Sequence, residues 1–159
     1  MQLNRLAQQL GDRLSAKNML VATAESCTGG WVAKVITEIA GSSRWFDRGF
    51  VTYSNQAKQE MLGVREETLV SRGAVSEATV VEMARGALNN SQAAVALSVS
   101  GIAGPGGGSP EKPVGTVWFA WARDDGEVQT RMERIAGDRD AVRRQAVVVA
   151  LQGMLDLLG

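Results

Sequence analysis

Apolar residues along this chain fall into alternating helical and strand-like spacings. Leu3, Leu6, Leu10 and Leu14 recur at i, i+3, i+7 and i+11, which places them on one stripe of a first helix. Met19 to Ala24 is a short, mostly apolar run of the kind that forms a buried strand. Beyond the turn Glu25-Ser-Cys-Thr-Gly-Gly30, the residues Trp31, Val32, Val35, Ile36 and Ile39 return to helical spacing, and Gly41 supplies a stop.

A second strand is predicted from Trp45 to Tyr53, with Phe46, Arg48, Phe50 and Thr52 on one face and Asp47, Gly49, Val51 and Tyr53 on the other. Its alternation is imperfect. Ser54 or Asn55 can cap a short helix through Leu62, ended by Gly63, and Ser76 can cap a longer one through Leu88. Ala93 to Ser100 reads as a small-residue strand that runs into Gly101 to Pro110, a segment too rich in Gly and Pro for a helix or central strand. Val114 to Ala122 and Glu127 to Ile135 are strand-like and are separated by the hairpin signal Asp124-Asp125-Gly126. From about Asp138, Val147, Leu151, Met154 and Leu158 share a final helical stripe. Together the elements predict an α/β fold, a three-layer α/β/α domain with a mixed sheet, as one domain over residues 1–159.

Composition changes this picture mainly by exclusion. The chain has no histidine, so a Ser-His-Asp triad, a Cys-His dyad and a His-ligated metal site cannot be built from it. Seventeen Lys and Arg balance 17 Asp and Glu, and the pI is near 6.3, which argues against a general nucleic-acid or membrane-surface binder. No apolar run approaches the ~20 residues of a membrane span. The start, Met1-Gln2-Leu3-Asn4-Arg5, lacks the apolar stretch of a secretory signal, and a single cysteine makes no internal disulfide, so a cytoplasmic setting is expected. Glycine is enriched, at 18 of 159 residues, against a usual share of roughly 7%.

Those glycines mark two places where chemistry can sit. The turn Glu25 to Gly30 enters a helix, where backbone N–H groups lack intrahelical partners and can hold an oxyanion or phosphate. Ser26, Cys27 and Thr28 offer three nucleophiles or donors in consecutive positions, although Thr28 can equally serve as a helix cap. Without histidine, a serine nucleophile needs a neutral lysine or an assisted tyrosine as base. Lys58 stands about one turn into the helix that starts near Ser54, close to the helix's positive end, and the only tyrosine, Tyr53, precedes it; an exposed lysine and a core-edge tyrosine are the alternative. The Gly101–Pro110 segment follows a strand end, where open α/β sheets bind ligands, yet it matches neither the G-x-x-x-x-G-K-[ST] nor the G-x-G-x-x-G pattern. Arg139 and Arg143, at i and i+4, can present two guanidinium forks to a phosphate, or pair with Asp138 and Asp140. Trp118, Phe119 and Trp121 read as sheet core.

Several of these segments, taken in order, carry a likeness to a known family. They are Ala24-Glu-Ser-Cys-Thr-Gly-Gly30, Gly49-Phe-Val-Thr-Tyr-Ser-Asn55 with Lys58, Gly73-Ala-Val-Ser76, Ser100-Gly-Ile-Ala-Gly-Pro-Gly-Gly107, Lys112-Pro-Val-Gly115 and Gly137-Asp-Arg-Asp-Ala-Val-Arg-Arg144. The chain resembles the CinA carboxy-terminal domain family from about Leu20 to Leu151, and within it the stand-alone nicotinamide-nucleotide amidases. The resemblance implies hydrolysis of the carboxamide of nicotinamide mononucleotide to nicotinate mononucleotide and ammonia, in pyridine-nucleotide salvage. It implies a metal-free, cofactor-free serine amidase with Ser26 as nucleophile, Lys58 as general base and Tyr53 as its neighbour in proton transfer. Thr28 and Gly29 would then supply oxyanion amides. Gly30, Ser100, Gly101, Gly104, Gly106 and Gly107, with Arg139, Arg143 or Arg144, would hold ribose and phosphate. Longer family members carry a further amino-terminal domain; none is seen ahead of Leu3, so no second activity is expected. A catalytically silent nucleotide-binding module is the alternative within the same family. A nucleic-acid role is disfavoured by the balanced charge, and a homodimer is the expected assembly, closed pairs being the commonest form of soluble oligomer.

Overall fold

The structure is a computed structural model that describes residues 2–159. Its elements run α1 (Gln2–Lys17), β1 (Val21–Glu25), α2 (Trp31–Thr37), a 3-10 turn (Ser42–Arg44), β2 (Phe46–Val51), α3 (Asn55–Leu62), α4 (Glu66–Arg72), α5 (Glu77–Asn89), β3 (Val95–Gly101), β4 (Thr116–Arg123), β5 (Val128–Arg134) and α6 (Arg139–Leu158). The five strands form one sheet in the order β2-β1-β3-β4-β5. β1 is parallel to both β2 and β3, whereas β3-β4 and β4-β5 are antiparallel, so the sheet is mixed as predicted.

Strand side chains alternate between faces, and the two faces differ in size. Val21, Val95, Leu97, Val99, Val117, Phe119 and Trp121 point to the layer of α1, α2 and α6, and the Leu3–Leu14 stripe packs there. Trp121 also donates its indole N–H to the Ala150 carbonyl of α6 at 2.9 Å. The opposite face is mostly alanine: Ala22, Ala24, Ala96, Ala120 and Ala122 meet Val80, Met83, Ala84 and Ala87 of α5 together with Leu62 of α3 and Leu69 of α4. Small side chains let that second layer lie close to the sheet. The result is the three-layer α/β/α arrangement expected.

Local signals explain most boundaries. Ser54, Ser76 and Asp138 cap α3, α5 and α6 through side-chain acceptors, and Gly63 closes α3 at φ 72°. Two expectations are corrected. The second strand is shorter than Trp45–Tyr53: Trp45 follows the 3-10 turn with its side chain buried in the α1 layer, and its carbonyl alone reaches β1, accepting the Val21 N–H at 2.7 Å. β2 is an edge strand with β1 as its one neighbour, which explains why polar Asp47 and Arg48 interrupt its alternation. α4 was not predicted: its seven residues bury only Thr68 and Leu69, too few to set a period. No helix among the described residues is long and apolar enough to cross a membrane.

Candidate active site

The chain leaves β1 towards one face of the sheet through α2, and reaches β3 by way of α3, α4 and α5 on the other. The crevice between the carboxyl ends of β1 and β3 is therefore a topological switch point, where open α/β sheets bind ligands. Two glycine-rich segments meet there, the turn after β1 and the loop after β3, and the Ser26 N–H donates to the Val99 carbonyl of β3 at 3.0 Å, which ties the turn to that strand. A cavity of about 240 Å3 opens between them, lined by Ser26, Cys27, Tyr53, Asn55, Lys58, Ala74, Val75, Ser100, Gly101, Ala103 and Arg139.

The turn is anchored from below by Glu25. This carboxylate is 1% exposed, and it accepts the Thr28 hydroxyl at 2.6 Å and the Val32 and Ala33 N–H groups at 2.9 and 3.0 Å. It thus fills the positive end of α2 with negative charge and fastens the nucleophile turn to that helix. Gly29 and Gly30 adopt φ of 58° and 102°, left-handed backbone that a side chain would strain, which is why the turn needs glycine at both positions.

Lys58 is 1% exposed, although most lysines are solvated. Its Nζ donates to Ser26 Oγ at 3.1 Å, to the Thr52 carbonyl at 2.9 Å and to the Tyr53 carbonyl at 3.3 Å. Each of the three partners is neutral. Desolvation lowers the Lys58 pKa below its ordinary 10.5. In the neutral amine, the two carbonyls can take both N–H groups, and the lone pair is then left facing Ser26 Oγ. Ser26 is 7% exposed and Oγ also lies 3.5 Å from the Tyr53 carbonyl.

Cys27 differs from its neighbour. Burial pushes its thiol up to about 11, with the Glu25 carboxylate adding to the shift and the N–H groups of Cys27 and Gly101 opposing it. A thiol so protonated at neutral pH is a poor nucleophile.

The remaining sequence-predicted residues separate into several places. Tyr53 meets Lys58 through its backbone carbonyl, while its ring is 63% exposed and its hydroxyl accepts from Arg139 at 3.4 Å. Arg139 lines the cavity and also donates to the Gly104 carbonyl at 2.8 Å. Ser100 and Gly101 line the cavity; Gly104 is buried behind it, and Gly106 and Gly107 are exposed outside it. Gly30 lies with Arg143 on the far side of the turn, and Arg144 is exposed. The expectation that Gly29 offers an oxyanion amide is corrected, because its N–H closes the turn onto the Ser26 carbonyl at 3.0 Å. The Thr28 N–H has no acceptor among the described residues.

Sequence reasoning missed the anchoring by Glu25, and the signal for it was present: an acidic residue at a strand end directly before a helix entry. Asn55, Ala74 and Val75 were missed as cavity walls. A larger hollow of about 680 Å3 lies beside α5, but its Ser76 is a helix cap and its Lys112 Nζ is held by the Arg72 carbonyl at 2.8 Å. Among the described residues, no three His, Cys, Asp or Glu side chains gather as metal ligands.

Fold and site together define a class of three-layer α/β proteins that set a serine hydroxyl and a buried lysine amine at a switch-point crevice. The chain belongs to the CinA C-terminal domain family, whose profile matches residues 3–158. It is 67% identical over 151 residues, covering 95% of this chain and 92% of the relative, to the nicotinamide-nucleotide amidohydrolase PncC of Escherichia coli strain K12. A protein of the same name from Pseudomonas putida is 52% identical over 155 residues, covering 98% and 96%. Among solved structures, the competence/damage inducible protein CihA from Agrobacterium tumefaciens superposes with a TM-score of 0.96 at 48% identity, covering 99% of this chain and 96% of that one.

Proposed function

We propose that this chain is a hydrolase of a carboxamide C–N bond, acting on nicotinamide mononucleotide to give nicotinate mononucleotide and ammonia, in pyridine-nucleotide salvage. Relatives of 67% and 52% identity bearing the amidohydrolase name support the reaction class. The observation that carries the mechanism is the buried Lys58 Nζ, 3.1 Å from Ser26 Oγ and surrounded by neutral acceptors only.

Neutral Lys58 takes the Ser26 proton as Oγ bonds to the carboxamide carbon, and the developing oxyanion meets the Thr28 N–H. The C–N bond then breaks while the Lys58 ammonium gives a proton to the departing amide nitrogen, which leaves as ammonia. Water attacks the acyl-enzyme, Lys58 accepts its proton, and the carboxylic acid leaves as Ser26 recovers its hydrogen. Tyr53 and Arg139 form the outer wall of the pocket, with the Arg139 guanidinium placed to meet the substrate phosphate. No cofactor enters this scheme. The enzyme is read as cytoplasmic and as a homodimer.

The test is ammonia release from nicotinamide mononucleotide by purified protein, with and without chelator. Turnover that survives chelator and disappears in Ser26→Ala supports the scheme; activity retained in Ser26→Ala but lost in Cys27→Ala moves the nucleophile to Cys27. Binding of the mononucleotide without ammonia release would instead make the protein a silent binding module.

A further inference from the structure

We propose that Arg143 positions the oxyanion donor of this site by gripping the opposite edge of the same peptide. The inference deepens the Ser26 acyl-transfer reading and rests on it. From the second turn of α6, Arg143 Nε donates to the Cys27 carbonyl at 3.0 Å and a terminal nitrogen donates to the Thr28 carbonyl at 3.3 Å. The guanidinium carbon also stands 5.6 Å from the centre of the Trp31 ring, which steadies it on the turn. Two residues 116 and 115 positions away in sequence are thus held by one side chain.

A trans peptide is planar, with its C=O and N–H on opposite sides. The Cys27 carbonyl and the Thr28 N–H belong to one such unit, since among the described residues the single cis bond is Gly104-Pro105. Holding the carbonyl therefore fixes the N–H, directed to the side of the turn away from the guanidinium. Arg143 and Thr28 both border the hollow that runs to Trp31, whereas Ser26 and Cys27 line the reactive cavity, so the Cys27–Thr28 peptide spans from one side of the turn to the other. The next peptide shows the same coupling. Its Thr28 carbonyl is bound by Arg143 while its Gly29 N–H reaches the Ser26 carbonyl. Positive charge on the carbonyl side also polarises the Thr28 peptide and makes its N–H a stronger donor.

Two arginines one helical turn apart accordingly divide their tasks. Arg139 faces the cavity, and Arg143 is a positioning residue that never touches substrate. Wild type, Arg143→Met, Arg143→Lys and Arg139→Met should be compared on nicotinamide mononucleotide and on nicotinamide riboside, which lacks the phosphate. Arg143→Met is expected to lower kcat about 10²-fold on both substrates, as loss of one oxyanion donor does, with KM changed by less than about twofold. Arg143→Lys keeps the charge without the fork and is expected to recover part of that kcat. A rise in KM confined to the phosphorylated substrate would overturn the proposal and make Arg143 a phosphate reader. The Thr28 amide proton resonance supplies an independent readout. It is expected to move in Arg143→Lys, and an unmoved resonance also overturns the proposal. Should wild type release ammonia from neither compound, the amidase reading fails while the resonance still decides the role of Arg143.

Discussion

The turn Ser26–Gly30 and the loop Gly101–Pro110 both follow parallel strands of one sheet, and both use glycine where the chain changes direction. In the first, Glu25, Arg143 and the backbone of Val99 hold the polypeptide from three directions. In the second, bonds between Ile102 and Thr116 and between Gly115 and Ile102 secure the base, Arg139 holds Gly104, and Pro105 to Pro110 stand exposed. Similar composition thus serves two ends: reactive atoms need fixed positions, whereas the stretch of the loop beyond its cavity-lining Gly101 and Ala103 has fewer constraints. The difference lies in the partners, not in the glycines.

Breaking the turn at its chemistry should have the largest effect. Ser26→Ala and Lys58→Met are each expected to lower kcat by about 10⁴-fold or more, and the double variant by little beyond either one, because a nucleophile and its base act as a unit. Ammonia release under saturating substrate measures this, and additive losses would show that the pair works independently. Lys58 also couples stability to pH. Its folded-state pKa is lowered, so between that value and 10.5 the unfolded chain carries a proton that the folded chain does not. Stability gained from this group therefore rises with pH through that window, and the rise should vanish in Lys58→Met when denaturant midpoints are compared across pH. Activity should climb with pH on the same lysine as it loses its proton.

Removing the anchor comes next. Glu25→Ala leaves two buried donors and one part-buried donor without an acceptor and is expected to destabilise the fold by about 3 kcal/mol in denaturant unfolding. An equal loss from Glu25→Gln would indicate that charge matters more than hydrogen bonding. At the cavity mouth, Arg139→Ala is expected to raise KM for the phosphorylated substrate by roughly 10- to 100-fold, the range of a charged hydrogen bond, with kcat altered far less. The smallest effect belongs to the loop. Gly106 has no positive φ and a Cβ there meets open space, so Gly106→Ala should change stability by less than about 0.5 kcal/mol. If it raises KM markedly, the loop closes on substrate and its contrast with the turn narrows.

Much of this arrangement could be read from sequence because it is local. Ser54, Ser76 and Asp138 signal their helices through short-range capping, and the Leu3–Leu14 stripe shows its buried face. Ser26 and Lys58 were legible as candidates because histidine is missing and both stand next to helix starts. Their meeting across 32 residues depends on how layers stack, which no single window contains. The same reason hid Arg143: its spacing from Arg139 suggested phosphate, but its partners are carbonyls on a turn more than a hundred residues away. Trp45 left its predicted strand because packing on α1 outweighed local alternation.

The alanine face of the sheet also acts as a set of shims. Ala22, Ala24 and Ala96 set the clearance between the sheet that ends in Ser26 and the helical layer that carries Lys58. Proton transfer tolerates far less slack than folding does, so a thicker side chain on this face would detune the serine–lysine spacing while leaving a protein that still folds. The dullest residues in the core are thus where catalytic alignment is calibrated.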